Sequence, residues 1–398
     1  MRTASVNTFV VPFAASPAFD GWLTVSTGFV IAAHIAEGRL TLAEASLLAG
    51  SFMTGTFLGA SLIGRLADRF GRKPFARSLI ALTVPLLAFP LLKPDPDLLI
   101  GIHLLLGVLI GADQPVSQAV MTESSDVTKA SRRLSVLMFA WYAGALAAVA
   151  LLPFVNAIGL GWQAFYAAPL LAALLLTPVK ALSEETPAWL SGRAETPKAG
   201  LAAVLRSRPR EWLFCCGFWL CQTIPVTAIM FYSPIILADV AGSADQTGRI
   251  ALIYSLFLAG TLPMTLMKRR IAPSRILRWS ALAMSGALAG VALFGRASPL
   301  LLSLFFGVYA FTYGLQTTLD NLYPNRLFPA GLRASAVGSI LAVSRVGSAA
   351  SALVFPHLMS HYSIGAILLG GAAVALCGAL CLRIRPDASG SDGRTAEK

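Results

Sequence analysis

The chain has 398 residues, of which 56% are hydrophobic and only 13% are charged. Soluble domains carry about 25% charged residues because their surfaces face water. A share this low, with a mean hydropathy of +0.71, therefore excludes a soluble protein. The net charge of +12 does not indicate nucleic-acid binding, because the basic residues form short clusters between apolar runs and no continuous basic face. Composition predicts a protein that crosses the membrane many times.

A membrane-spanning helix needs roughly twenty mainly apolar residues, and the sequence contains twelve such segments. The predicted spans are 9–33, 43–64, 76–92, 98–120, 134–156, 162–179, 212–237, 248–267, 277–295, 299–322, 333–356 and 362–383. The first is the weakest, since Pro12, Pro17 and Asp20 interrupt it. It lacks the basic start and small-residue cleavage site of a signal peptide, so we expect a retained helix.

The positions of lysine and arginine predict the orientation. With the N-terminus inside, nearly all of the 31 basic residues fall in cytoplasmic segments, and the outside segments hold only Arg39, Lys93, Arg249 and Arg296. Cytoplasmic loops carry such an excess of Lys and Arg. We therefore expect both termini to be cytoplasmic, in a multi-pass protein of the cell inner (plasma) membrane.

One long polar connection follows the sixth span and divides the chain in two. The predicted units are a six-helix bundle at 1–180, a cytoplasmic linker at 181–211 and a second six-helix bundle at 212–385. The polar, small-residue tail 386–398 is predicted to be disordered. Ionisable residues inside spans fall in the first, fourth, tenth and eleventh, so these should face a watery interior and the third, sixth, ninth and twelfth should face lipid. This recurrence is typical of two similar halves.

The loop between the second and third spans carries the sharpest motif. Its sequence GRLADRFGRK (64–73) places Gly64, Asp68, Arg69, Gly71 and Arg72 as in the signature loop of the major facilitator superfamily, which it resembles. An ordinary basic loop with a tight glycine turn is the alternative. The resemblance implies an all-α membrane protein of the major facilitator fold: twelve transmembrane helices in two pseudo-symmetric six-helix bundles. It also implies a cytoplasmic gate, in which an aspartate faces a helix N-terminus and arginines pair with acids.

Three further stretches resemble the sugar-porter and metabolite–proton symporter branches of that superfamily. They are GADQPV (111–116), ETPAWL (185–190) and YPNRLFP (323–329). The resemblance adds six gate candidates to those of the signature loop: Glu123, Arg132, Arg133, Glu185, Arg326 and Arg333. Arg326 stands where the family has an acid and Ala188 where it has an arginine, which predicts a weaker latch in the second half.

Three acidic residues are candidates for proton coupling. Asp20 lies in a Phe-Asp-Gly sequence and Asp113 in the fourth span, both similar to aspartates of the symporters. Asp320 comes about one and a half turns before Arg326. A carboxylate in a low-dielectric cavity can take up and release protons near neutral pH. The alternatives are a structural acid or interfacial position for Asp20, a gate salt bridge for Asp113 and a solvated helix end for Asp320.

Arg345 is the main candidate for substrate binding. It lies twelve residues after Arg333 within the eleventh span, where a cation needs a partner. It is either an anchor for an anionic substrate or a counter-ion of Asp20, Asp113 or Asp320. The further candidates are polar or aromatic residues within spans: Gln222, Gln316, Trp141, Tyr142, Trp219 and Tyr232.

Other classes of chemistry are not indicated. The five cysteines lie in apolar runs and are read as packing residues, so no disulfide and no metal is expected. No P-loop motif for ATP and no nucleophile–base pair is found, so the chain is not expected to be an enzyme, and no cofactor is expected.

These observations predict a secondary transporter that moves a small organic metabolite, an organic anion, by alternating access with proton symport. Its partners would be the substrate, protons and the lipid bilayer, with no nucleic acid, and we expect a monomer. Departures from the sugar-porter motif at 222–234, where Thr227 replaces an asparagine, argue against a sugar. The alternatives are a proton-coupled drug or metabolite efflux antiporter and a non-transporting membrane sensor.

Overall fold

The computed structural model describes residues 7–123, 127–182, 185, 201–241, 246–266 and 272–383. These residues form helices joined by turns, and no strand occurs among them. The helices are α1 (Asn7–Ala36), α2 (Leu42–Phe70), α3 (Arg72–Ala88), α4 (Pro96–Glu123), α5 (Val127–Ile158), α6 (Ala164–Ala181), α7 (Leu201–Ser207), α8 (Pro209–Ala241), α9 (Gln246–Leu266), α10 (Pro273–Phe294), α11 (Pro299–Leu327), α12 (Ala330–His361) and α13 (Ile364–Leu380). Short 3-10 turns follow α3 and α13.

Most of these helices suit a membrane. Within the described residues, 11 are long and apolar enough to span one, and α9 takes the place of the remaining predicted span. Helix α1 runs unbroken for 30 residues, so the predicted interruption at Pro12, Pro17 and Asp20 is absent. Prolines are tolerated in membrane helices because neighbouring groups satisfy the freed backbone atoms.

The two halves repeat the same helix packing. In the first half α1 packs on α5, α2 on α4 and α3 on both α4 and α6. The second half repeats these pairs as α8 on α12, α9 on α11 and α10 on α11 and α13. This internal repeat is the pseudo-symmetry expected of two similar halves. The residue bounds of the two bundles stay a prediction; α7 lies within the predicted linker 181–211, and the tail 386–398 lies outside the described residues.

Glycines occupy equivalent contact points in the two halves. A Cβ on Gly55 of α2 would lie 2.2 Å from the carbonyl oxygen of Leu104 on α4. A Cβ on Gly260 of α9 would lie 2.2 Å from the carbonyl oxygen of Phe311 on α11. Small residues let membrane helices approach backbone to backbone. These glycines therefore hold each half together as a unit.

The halves meet through α1 with α8, α2 with α12 and α5 with α9. A Cβ on Gly28 would lie 2.5 Å from the backbone oxygen of Phe231, and one on Gly50 would lie 2.2 Å from Cδ2 of Leu353. Gly28 and Gly50 lie toward the turn between α1 and α2, and we call this side of the molecule the α1–α2 end. The two halves are therefore tightly closed there.

Helix α8 contains a proline beside this interface. Pro234 has no N–H, so the carbonyl of Met230 has no helical hydrogen-bond partner. The hydroxyl of Tyr254 on α9 donates to that carbonyl at 3.3 Å. A side chain of a neighbouring helix thus supplies the hydrogen bond that the proline removes.

Candidate functional site

A cavity of about 120 Å³ lies between the two halves. Residues of α1, α2, α4, α5, α8, α11 and α12 line it, so both halves contribute to its wall. The lining includes five aromatic residues, Trp141, Tyr142, Trp219, Phe231 and Tyr313; polar residues such as Gln114, Gln118, Thr223, Thr227 and Ser344; and one acidic and one basic residue, Asp320 and Arg345. Such a mixture of apolar walls and a few polar groups is typical of small-molecule sites.

Arg345 reaches from α12 across the cavity to the first half. Its Nη2 donates to Oε1 of Gln114 at 2.7 Å and lies 3.6 Å from Oδ2 of Asp20. Oδ1 of Asp20 accepts a hydrogen bond from the hydroxyl of Thr24 at 3.2 Å. The Nε of Arg345 is buried and has no hydrogen-bond partner among the described residues. The guanidinium is thus held in place by Gln114 and keeps one buried N–H without an acceptor among those residues.

Asp320 is the second ionisable group on the cavity wall. The Nε2 of Gln222 on α8 donates to its Oδ1, and both residues are buried. The Oε1 of Gln222 is itself buried without a partner in the described part of the chain. No salt bridge between Asp320 and a basic side chain is found among those residues.

Asp113 lies away from the cavity lining, in a buried ion pair. Nζ of Lys180 at the end of α6 donates to its two carboxylate oxygens at 3.0 and 3.1 Å and to the hydroxyl of Ser16 at 2.6 Å. The ammonium also lies 5.5 Å from the ring centre of Phe13. The predicted sixth span ends at residue 179, which leaves Lys180 on its cytoplasmic side; instead Lys180 lies inside α6 with a side chain that is 1% exposed. The last turn of α6 runs past the predicted end of the sixth span.

The other substrate-binding candidates divide into two groups. Trp141, Tyr142 and Trp219 line the cavity. The rest do not line it: Gln222 holds Asp320, Tyr232 donates to the carbonyl of Ala352 at 2.7 Å, and Gln316 accepts from Ser280 at 2.6 Å. Tyr232 also stacks on Phe355 with ring centres 5.0 Å apart. We therefore leave Tyr232 and Gln316 out of the proposed substrate contacts.

Among the gate candidates, Glu185 lies at the start of α3. Its carboxylate accepts the backbone N–H groups of Arg72 and Lys73, each at 3.0 Å. Gly71 precedes them with φ of 99°, a value that favours glycine, and Arg72 donates to the carbonyl of Ala67 at 2.6 Å. We call this side of the molecule the α2–α3 end.

Arg326, in the last turn of α11, is exposed. For the remaining gate candidates, Gly64, Asp68, Arg69, Glu123, Arg132, Arg133 and Arg333, the side chains lie outside the described part of the structure. Among the described residues no group of three or more His, Cys, Asp or Glu is placed to hold a metal ion.

Sequence reasoning missed two partners at these sites. Gln114, beside Asp113 in sequence, is the hydrogen-bond acceptor for Arg345, and Lys180 neutralises Asp113. The cost of a charge in the membrane was a signal that Asp113 needs a cation. That signal could not identify Lys180 as the cation, because Lys180 lies just beyond the predicted end of the sixth span.

The fold and a solute-sized cavity shared by two similar halves are those of a membrane transporter. Residues 11–352 match the Major Facilitator Superfamily, and the chain belongs to that family. The family resemblance seen in the sequence and the all-α fold are both confirmed, and the chain is a transporter and not an enzyme.

Curated relatives are metabolite transporters. The chain is 28% identical over 390 residues to the putative metabolite transport protein YaaU of Escherichia coli (strain K12), covering 92% of this chain and 88% of the relative. It is 26% identical to the inner membrane metabolite transport protein YgcS of the same organism, covering 90% and 86%. Among solved structures, the inward-open conformation of the xylose transporter XylE from E. coli superposes with a TM-score of 0.79 at 17% identity, covering 97% and 98%.

Proposed function

We propose that this chain is a proton-coupled symporter that imports a small organic anion across the inner membrane by alternating access. Both termini are cytoplasmic, and the chain acts as a monomer within the bilayer, without a cofactor. The observation that carries this proposal is Arg345: a guanidinium on the cavity wall with a buried Nε that has no acceptor among the described residues.

An arginine at this place favours a carboxylate. Its planar guanidinium presents five N–H donors in a fork that matches two carboxylate oxygens. Gln114 occupies one nitrogen, and Asp20 lies beyond ordinary hydrogen-bond length at 3.6 Å. A carboxylate that enters the cavity can therefore bind the free face of the guanidinium while Gln114 keeps the side chain in place.

The aromatic lining favours a flat substrate. Trp141, Trp219, Phe231 and Tyr313 surround a space of only about 120 Å³, where ring faces can pack on an aromatic solute. Two relatives are the putative niacin/nicotinamide transporter NiaP of Bacillus subtilis, 26% identical, and the 3-(3-hydroxy-phenyl)propionate transporter of E. coli, 26% identical. Nicotinate is therefore the first probe. A third relative is the minor myo-inositol transporter IolF of B. subtilis, 27% identical. Myo-inositol is therefore the neutral compound to test beside nicotinate.

The test is nicotinate binding and uptake by the purified protein in proteoliposomes with an inward proton gradient. Arg345→Lys keeps the charge but loses the fork, so we expect an affinity loss of about tenfold or more, equivalent to the roughly 1.5–3 kcal/mol of a hydrogen bond to a charged group. Arg296→Lys is the matched control, because Arg296 forms an exposed ion pair with Asp239 on the surface. It should bind nicotinate normally.

The outcomes separate the alternatives. If the protein takes up myo-inositol and Arg345→Gln does not affect that uptake, the substrate is a neutral solute and not an anion. Nicotinate efflux driven by proton entry would indicate an antiporter, and binding without flux would indicate a sensor. Nicotinamide, the neutral analogue of nicotinate, should compete poorly, because it lacks the carboxylate that Arg345 binds.

A further inference from the structure

In the pair formed by Asp320 and Gln222, one buried acceptor has no hydrogen-bond donor in the part of the chain that the structure describes. Gln222 donates one N–H to Oδ1 of Asp320, while its own Oε1 is buried without a donor among the described residues. An ionised carboxylate only accepts hydrogen bonds, so it cannot serve that oxygen. A buried acceptor without a donor is costly.

A proton on Oδ2 of Asp320 would satisfy both residues. The acid O–H would donate to Oε1 of Gln222 while the amide N–H continues to donate to Oδ1, which closes a ring of two hydrogen bonds. The proton comes from water in the cavity and returns there, so no other reactant is required. We propose that Asp320 is the proton-binding residue of the transport cycle and that Gln222 positions it.

The surroundings of Asp320 agree with a neutral form in the closed pair. The titratable groups near it are Tyr142 on α5, Tyr313 on α11 and Cys215 on α8, none of which is cationic. Among the described residues, no ion pair joins Asp320 to a side chain of α9 or α10. Arg345 shares the cavity wall but is already engaged with Gln114 and Asp20.

The other two acidic candidates have different partners. Asp113 is neutralised by Lys180 and lies away from the cavity lining. Asp20 lies beside Arg345. Asp320 is thus the carboxylate on the cavity wall that has an amide partner and no cation among the described residues.

This placement explains how a proton and an anion would bind together, a step that rests on the proposed function. The positive charge of Arg345 is already opposed by Asp20. An anion entering beside an ionised Asp320 would add a second negative charge to one small cavity. Protonation of Asp320 removes that repulsion, and by linkage the bound anion favours the proton equally, with a coupling of about 5- to 150-fold.

The first test needs no substrate. Infrared spectra of the purified full-length protein at neutral pH should contain the C=O stretching band of a buried carboxylic acid. Asp320→Asn should remove this band, Asp20→Asn should keep it, and Gln222→Met should shift its frequency because the amide partner is lost. If Asp320→Asn does not fold, Asp320→Glu should retain a shifted band. A band that survives in Asp320→Asn, or disappears in Asp20→Asn, overturns the proposal.

The second test measures nicotinate affinity against pH. In the wild type the affinity should fall about tenfold or more from acidic to alkaline pH, and in Asp320→Asn it should be high at both. An equal pH dependence in both proteins overturns the coupling. If nicotinate does not bind at all, it fails as the substrate of the proposed function, whereas the infrared result still decides whether Asp320 carries a proton.

Discussion

The ion pair of Lys180 and Asp113 joins three helices of the first half at one point. It connects α6 to α4, and the hydrogen bond to Ser16 adds α1. Both charged groups are removed from water, so each depends on the other for its stability. At the scale of the residue, these contacts favour a structural role for Asp113 over the coupling role that the sequence also allowed.

We expect Lys180→Met to destabilise the protein strongly, by about 3–5 kcal/mol, because it leaves the buried carboxylate of Asp113 without its cation. The double variant Lys180→Met/Asp113→Leu removes both charges and should recover most of the lost stability. Thermal unfolding of the purified protein in detergent measures both. A single variant as stable as the wild type would contradict the structural role.

At the scale of the element, the start of α3 depends on a distant carboxylate. Glu185 accepts two N–H groups that have no partner within the helix, and it lies near the positive end of the helix dipole. Residues 113 positions apart are joined by this contact. The chain just after α6 is thereby fastened to the turn at Gly71.

Glu185→Gln should weaken this contact, because the amide has one acceptor oxygen and no charge. We expect a loss of about 0.5–2 kcal/mol and faster maleimide labelling of a cysteine introduced at Lys73. Glu44→Gln is the matched control, since Glu44 bonds to Thr41 at the start of its own helix. Equal labelling rates in the two variants would show that Glu185 does not restrain the α2–α3 end.

At the scale of the whole molecule, the two halves touch most closely at the α1–α2 end. In the proposed alternating-access cycle, helices within a half keep their contacts, whereas contacts between the halves must separate. Gly28 lies at a contact between the halves, and Gly55 lies at a contact within the first half. The same substitution at these two glycines should therefore have different effects.

Gly28→Ala should oppose closure of the α1–α2 end and shift the population toward the state open there, with a small change in unfolding temperature. Gly55→Ala should lower the unfolding temperature, because α2 and α4 cannot separate to relieve the clash. Distances between spin labels at Arg39 and Ala297, measured after replacing the native cysteines, report the opening. An unchanged distance distribution in Gly28→Ala would contradict this assignment.

Composition and motifs predicted the twelve helices and the family, because both depend on local sequence. They could not pair residues across the bundle. Tyr142 and Tyr232 looked equivalent as aromatic residues of predicted spans, yet only Tyr142 lines the cavity, since the face of a helix that meets the cavity depends on how it packs. The predicted sixth span stopped one residue short of Lys180, because the boundary of a span is the least certain part of such a prediction.

Pro234 affects the mechanics of α8. A helix normally resists bending because its backbone hydrogen bonds would have to break. At Met230 that hydrogen bond is already missing. The bond that stiffens this point comes from Tyr254 on α9, and α9 packs on α5 of the opposite half. The stiffness of α8 beside Gly28 therefore depends on a contact with a neighbouring helix and not on its own backbone alone.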